Sequence, residues 1–234
     1  MPTYQIADVR VRYSPQYDMS RLRSEKYRCD DDGQAPRLNA HVENARLLRE
    51  ECPHLTPEEC EYMEIGREFY CLLLLREGMM LHASAVVVDG FAYLFSAPSG
   101  TGKSTHTSLW LRQFGERAYL LNDDKPALRA LPDGVFAYGT PFSGKHDLSV
   151  NARVPVRGIA FLERSEDNRI ERIRGRDALF ALLNQTVRPH DVSLYTRLLQ
   201  VIQSVTQTVP IYRLYCNMDP QAAELSYEAM KRGE

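Results

Sequence analysis

Residues 97–105 read Ala-Pro-Ser-Gly-Thr-Gly-Lys-Ser-Thr, and residue types at this spacing can cradle a phosphate chain. Small residues let successive backbone N–H groups turn inward onto phosphate oxygens, and a following helix N-terminus adds its positive end. Ser99, Gly100, Thr101, Gly102 and Thr105 would form that cradle. Lys103 would reach the β- and γ-phosphates, and the Ser104 hydroxyl would take a place on Mg²⁺. The ligands so predicted are ATP and Mg²⁺. The strict pattern opens with Gly; Ala97 stands there instead, the smallest replacement where φ stays negative.

About twenty residues beyond Lys103 comes Leu121-Asn122-Asp123-Asp124-Lys125. A buried strand ending in carboxylates is the usual companion of a phosphate loop, because one carboxylate can hold Mg²⁺ directly or through water. The second is then free to orient an acceptor hydroxyl and take its proton. Asp123 is assigned to metal, and both Asp123 and Asp124 to catalysis, with the division between base and metal contact left open. His82, before a hairpin that feeds the loop, is a further catalytic candidate. Lys145, in the small-residue stretch 138–146, is another, as a cation able to offset transition-state charge. His106, one turn into the following helix, reads as a packing residue.

Flanking patterns must position these groups. An apolar run at 91–95 precedes the loop, and a helix pattern through Trp110, Leu111 and Phe114 follows it, closing at Gly115. Ala83-Ser84-Ala85-Val86-Val87-Val88, then Asp89-Gly90, makes the upstream partner of a two-residue hairpin. Residues 3–13 alternate as one strand with a slip near Asp8. Residues 14–56 read as polar and irregular, with a turn at Asp30-Asp31-Asp32-Gly33. Within that segment Arg21, Arg23, Lys26 and Arg28 read as a solvated face. Thr56-Pro57-Glu58-Glu59 starts a helix with a capping box, whose stripe Tyr62, Ile65, Phe69, Leu72, Leu73 packs on the sheet and carries no chemistry, ending near Gly78. Strands follow near 118–122, 126–130, 135–139 and 157–163, then a helix at 176–185. A second helix is capped by Asp191 with Leu194, Leu198, Val201, Ile202 and Val205 buried; a strand at 211–215 and a helix opened by Asp219-Pro220 complete the chain. Several strands are linked too tightly for helical crossovers. The fold class is therefore α/β with a mixed, largely antiparallel sheet, a phosphate loop and C-terminal helices.

With 234 residues and a net charge of −2, the chain suits a substantial core and gives no electrostatic case for nucleic acid or an anionic membrane. No apolar run reaches spanning length, and the N-terminus lacks a signal pattern, so a cytoplasmic location is expected. Cys29, Cys52, Cys60, Cys71 and Cys216 are scattered without metal-ligand spacing and read as reduced thiols.

Taken together, residues 81–90, 96–105 and 121–124 resemble, in order and spacing, the motifs of the HPr kinase/phosphorylase catalytic domain and its phosphoenolpyruvate-carboxykinase-like relatives. The resemblance covers about 79–164. It implies that His82 supports the catalytic Asp, that the aspartate pair supplies general base and metal contact, and that Lys103 and Ser104 bind phosphate and Mg²⁺. Two features depart from the family. The segment before His82 is shorter than its separate N-terminal domain, and Gly139–Lys145 stands where it carries a glutamate-arginine-glycine stretch. The chain is more similar to small stand-alone homologues, some resembling kinases of free or peptide serine. The expected organisation is an N-terminal lobe at 1–78 packed on a kinase-like domain at 79–234, with a homo-oligomer implied only by the relatives. The expected activity is γ-phosphoryl transfer from ATP to a hydroxyl, most plausibly serine of a protein, peptide or free amino acid. A nucleotide-binding regulatory module and a carboxykinase-like lyase are the alternatives.

Overall fold

A computed structural model describes residues 1–31, 33–39 and 42–233. The residues fold as α/β with two sheets among the described residues. The alternating run at the N-terminus is a hairpin, β1 (Thr3–Ile6) and β2 (Val9–Arg12), because Ala7 and Asp8 both take positive φ and turn the chain. The apparent slip at Asp8 is that turn. Segment 14–56 is also more ordered than its polarity suggests, holding α1 (Asp18–Glu25), β3 (Arg28–Cys29) and α2 (Val42–Glu51). Its basic cluster is solvated at Arg21 and Arg28, which pair with Asp18 and Glu25, but Arg23 is buried with its guanidinium over the Tyr62 ring. In the acidic turn, the Gly33 amide donates to the Asp31 carboxylate, while Asp32 lies outside the described residues.

The helix α3 (Pro57–Leu74) starts as its sequence requires, with Thr56 and Glu59 forming a reciprocal capping box. It stops at Leu74, and Gly78 instead opens a short strand, β4 (Gly78–Met80), that the sequence does not announce. Then come β5 (Ala83–Val88), β6 (Phe91–Ser96), α4 (Lys103–Phe114), β7 (Ala118–Asn122), β8 (Ala127–Leu131), β9 (Gly134–Tyr138) and β10 (Arg153–Arg164). The chain closes with β11 (Arg169–Ile173), α5 (Gly175–Leu183), α6 (Val192–Thr208), β12 (Ile211–Cys216) and α7 (Gln221–Arg232).

The large sheet runs β4-β8-β9-β10-β6-β5-β7, with β12 and then β11 added on β10. Only β10 with β6 and β10 with β12 pair in parallel; the other ladders are antiparallel. The long β10 serves both halves: residues 153–155 pair with β9, and the remainder lies between β6 and β12. On β5, Ala83, Ala85 and Val87 pack with α5 and α6, while Val86 and Val88 pack with α4 and α7. Burial on both faces is why this strand is apolar throughout except for the buried Ser84. A third core joins β1, β2 and α3 to Ala127, Tyr138 and Phe142. No helix among the described residues is long and apolar enough to cross a membrane.

Candidate active site

Strand order explains why the chemistry-bearing residues meet. Since β5 runs antiparallel to both its neighbours, its first residues pair with the last of β6 and β7 (Ala83 with Ser96, Ala85 with Asn122). His82, the glycine-rich loop and Asp123-Asp124 therefore leave the same edge of the sheet. The parallel pairing brings the C-terminal ends of β10 and β12 to that edge too, where open α/β sheets bind ligands.

The loop turns on Gly100 (φ +78) and Gly102 (φ +121), the latter capping α4 with no side chain of its own. Arg164, at the end of β10, donates to the Gly100 and Thr101 carbonyls at 2.6 and 3.2 Å. Ser99 and Gly100 are exposed, Thr101 and Gly102 half-buried, and Ser104 and Thr105 exposed on the first turn of α4. Lys103 is buried, and its Nζ donates to the Ala97 carbonyl at 2.9 Å. Burial lowers its pKa against the opposing pull of Asp124 and Asp123, so the cation lies within the field of both carboxylates. Beside the loop a cleft of about 530 Å³ opens between Gly100–Gly102, Leu109, the end of β10 and residues 216–218.

The two aspartates face different partners. Ser104 Oγ donates to Asp123 at 3.1 and 3.3 Å, on its two carboxylate oxygens. This is an all-oxygen pair suited to a hard cation that keeps several waters, so the residues present fit Mg²⁺. Asp124 takes φ +91, accepts from His82 Nε2 at 3.2 Å on one oxygen, and is ion-paired to Lys125 Nζ on the other. Burial alone pushes its carboxyl up; the His82 hydrogen bond and the Lys125 charge outweigh burial and hold it at about 2. His82 is itself fixed by Gln185, whose carbonyl accepts the His82 backbone N–H at 2.7 Å and whose side chain meets Nδ1 at 3.1 Å. In either orientation of that amide, Nε2 carries the hydrogen donated to Asp124.

The support reaches into stretch 139–144. Asn122 Nδ2 donates to the Thr140 carbonyl at 2.9 Å, Thr140 Oγ1 donates to the Lys125 carbonyl at 2.8 Å, and Tyr70 Oη donates there as well at 2.5 Å. Gly144, at φ +69, backs directly onto Asp124; a Cβ there would lie 2.9 Å from the Asp124 Cβ. Its amide donates to Tyr62 Oη at 3.3 Å, which brings α3 to the site's edge.

No family model matches the chain, and no curated protein matches it. Among solved structures it is similar to the HPr(Ser) kinase/phosphatase from Coxiella burnetii, with 15% identity and a TM-score of 0.38 over 65% of this chain and 97% of that one. A likeness of that size assigns no family.

The structure thus brings together His82, Lys103, Ser104, Asp123 and Asp124. It does not bring in Lys145, which is exposed in the turn after Gly144; none of the hydrogen bonds or ion pairs among the described residues joins it to either aspartate. The lysine in contact is Lys125, next to the pair in sequence but given no role by the pattern. Gln185 is the other residue sequence reasoning missed, since nothing local links it to His82 across 103 positions. His106 packs rather than reacts: its ring lies 4.4 Å from that of Phe95, and its Nε2 accepts from the Trp110 indole at 3.2 Å. Its Nδ1 has no partner among the described residues.

Proposed function

We propose that the chain is an ATP-dependent kinase that transfers the γ-phosphoryl group to an acceptor hydroxyl, with serine the favoured acceptor. One observation carries the reading. Two adjacent carboxylates are divided between a loop hydroxyl and a His–Lys pair, with the buried loop lysine held on the Ala97 carbonyl within their field. A site that only held nucleotide would need the Ser104–Asp123 half and not the other.

In this reading the triphosphate lies along residues 99–105, and the nucleoside occupies the cleft between the loop and the ends of β10 and β12. Ser104 and Asp123 would hold Mg²⁺, which when bound would supply electrostatic stabilisation to the phosphate oxygens. Lys103 turns from the Ala97 carbonyl toward the γ-phosphate and offsets charge there. Asp124 orients the acceptor O–H. The acceptor oxygen forms a bond to the γ-phosphorus as the bond to the β–γ bridging oxygen breaks, ADP leaves, and the hydroxyl proton passes to Asp124 and on to solvent. A carboxyl held near 2 is a weak base, which suits a loose transition state in which the proton leaves late. Orientation is then its main contribution, and His82 and Lys125 supply it.

The test is incubation with γ-labelled ATP and Mg²⁺ plus free serine, HPr or a serine-ended peptide. The kinase reading expects transfer that Asp124→Asn abolishes while ATP binding persists. Tight nucleotide binding with no transfer to any acceptor would overturn it in favour of a regulatory module. Oxaloacetate-dependent formation of phosphoenolpyruvate would overturn it in favour of a lyase.

A further inference from the structure

A second cavity, of about 260 Å³, adjoins the site at Lys125. Its walls are Tyr62 and Met63 of α3, Tyr70, Phe142, Leu48 and Val187. Three of the rings pack together, Tyr62 and Tyr70 lying 5.7 and 5.4 Å from Phe142. Gly66 lets α3 approach the Phe142 ring closely, since a Cβ there would meet it at 3.1 Å. Lys125 links the cavity to the site: it lines the cavity, lies 5.7 Å from the centre of the Tyr62 ring, and is ion-paired to Asp124. Tyr62 adds a second link, because the amide it accepts from belongs to Gly144, the residue backed against Asp124.

Charge decides what fits. The cavity's two cations are both neutralised by carboxylates: Arg67 by Glu64 through two hydrogen bonds of 2.5 and 2.8 Å, and Lys125 by Asp124. An anionic occupant would therefore meet cations whose charge is already offset, and carboxylates beside them. A zwitterion the size of free serine would leave aromatic walls unfilled. At about 260 Å³ the space is below the usual range for a whole small-molecule ligand, which is roughly 300–1,000 Å³, and suits a single side chain.

Building on the kinase reading above, we propose that this cavity selects the acceptor: it receives a neutral, bulky apolar side chain adjacent to the hydroxyl-bearing residue. The substrate class is therefore a peptide or peptide-like molecule with an apolar neighbour to its serine, and not free serine. Helix α3, whose pattern reads as packing alone, then supplies specificity.

The experiment measures kcat/KM for the full chain with Mg²⁺-ATP on blocked peptides in which serine is flanked by Leu or Phe, by Gly, or by Asp, and on free serine. The expected preference for Leu or Phe over Gly is about 10- to 100-fold, the usual return on burying one such side chain. Asp-flanked peptide and free serine should be the poorest. Val187→Trp, which fills the cavity, and Met63→Trp, placed on an exposed wall position, should collapse that preference mainly through KM. Equal use of Gly and Leu peptides by the native chain would overturn the proposal, as would a preference that survives both substitutions. If nothing is phosphorylated, calorimetric binding of the same peptides with a non-hydrolysable ATP analogue separates the two claims. Leu-peptide binding weakened about tenfold by Val187→Trp keeps the cavity assignment while the kinase reading falls; absence of selective binding overturns the cavity assignment itself.

Discussion

His106 should make the fold acid-sensitive from about pH 6.5 downward, and comparison with a variant lacking the imidazole separates its share from that of the carboxylates. Burial alone lowers its pKa from 6.5 to about 4, and no acceptor offsets that burial at Nδ1. A histidine depressed in the folded state binds its proton more readily when unfolded. Its contribution is therefore full above 6.5 and is lost as pH falls toward 4. At 1.36 kcal/mol per unit, the loss reaches about 1 kcal/mol at pH 6, about 2 at pH 5 and about 3 at pH 4. His106→Met removes the titrating group while leaving a flexible side chain in the same space. Urea unfolding of both proteins at pH 7, 6, 5 and 4 reads this directly. The only tryptophan is Trp110, fully buried and hydrogen-bonded to the His106 ring, so its fluorescence reports the element concerned. The native chain should lose about 3 kcal/mol relative to the variant between pH 7 and pH 4, with nearly all the change below pH 6.5. Stability curves that run parallel from pH 7 to pH 4 would refute the argument, because a differential of that size cannot vanish if the imidazole is kept neutral.

Three further outcomes are expected. Lys103→Met removes a desolvated cation that donates to the Ala97 carbonyl, so apo stability should hold or rise slightly while the thermal shift caused by Mg²⁺-ATP disappears. Gln185→Ala frees the His82 ring from its Nδ1 partner; kcat should drop on the order of tenfold with ATP affinity nearly constant, as for other orienting partners. Gly144→Ala places a Cβ at φ +69 and 2.9 Å from the Asp124 Cβ, which should cost about 1–2 kcal/mol in urea unfolding and depress phosphoryl transfer as well.

What could be read from residues alone follows the range over which each cause acts. The loop, the hairpin at Asp89-Gly90 and the capping box at Thr56 are set by residues within a few positions of one another, and all stand where their patterns put them. Helix α1 is the opposite case. Tyr17 at its start caps nothing. The N-terminal amides of that segment are satisfied by carboxylates of α3: Glu61 accepts from Gln16 and Tyr17, and Glu58 accepts from Met19. A polar segment with no cap of its own looks irregular until its partner helix is present. The same division runs through the site. Asp123 and Asp124 were visible because they follow a buried strand at a familiar distance from the loop. Which of them meets Ser104 and which meets His82 depends on a positive φ at Asp124, and nothing in the side-chain type announces that angle. Lys145 and Lys125 were equally basic in sequence, and only the ladder that ends β7 puts one of them against Asp124. Residues that touch across long separations, Gln185 on His82 and Tyr62 beside Gly144, are therefore where the geometry of this site is set, and under the proposed kinase reading they are the ones most able to select the acceptor.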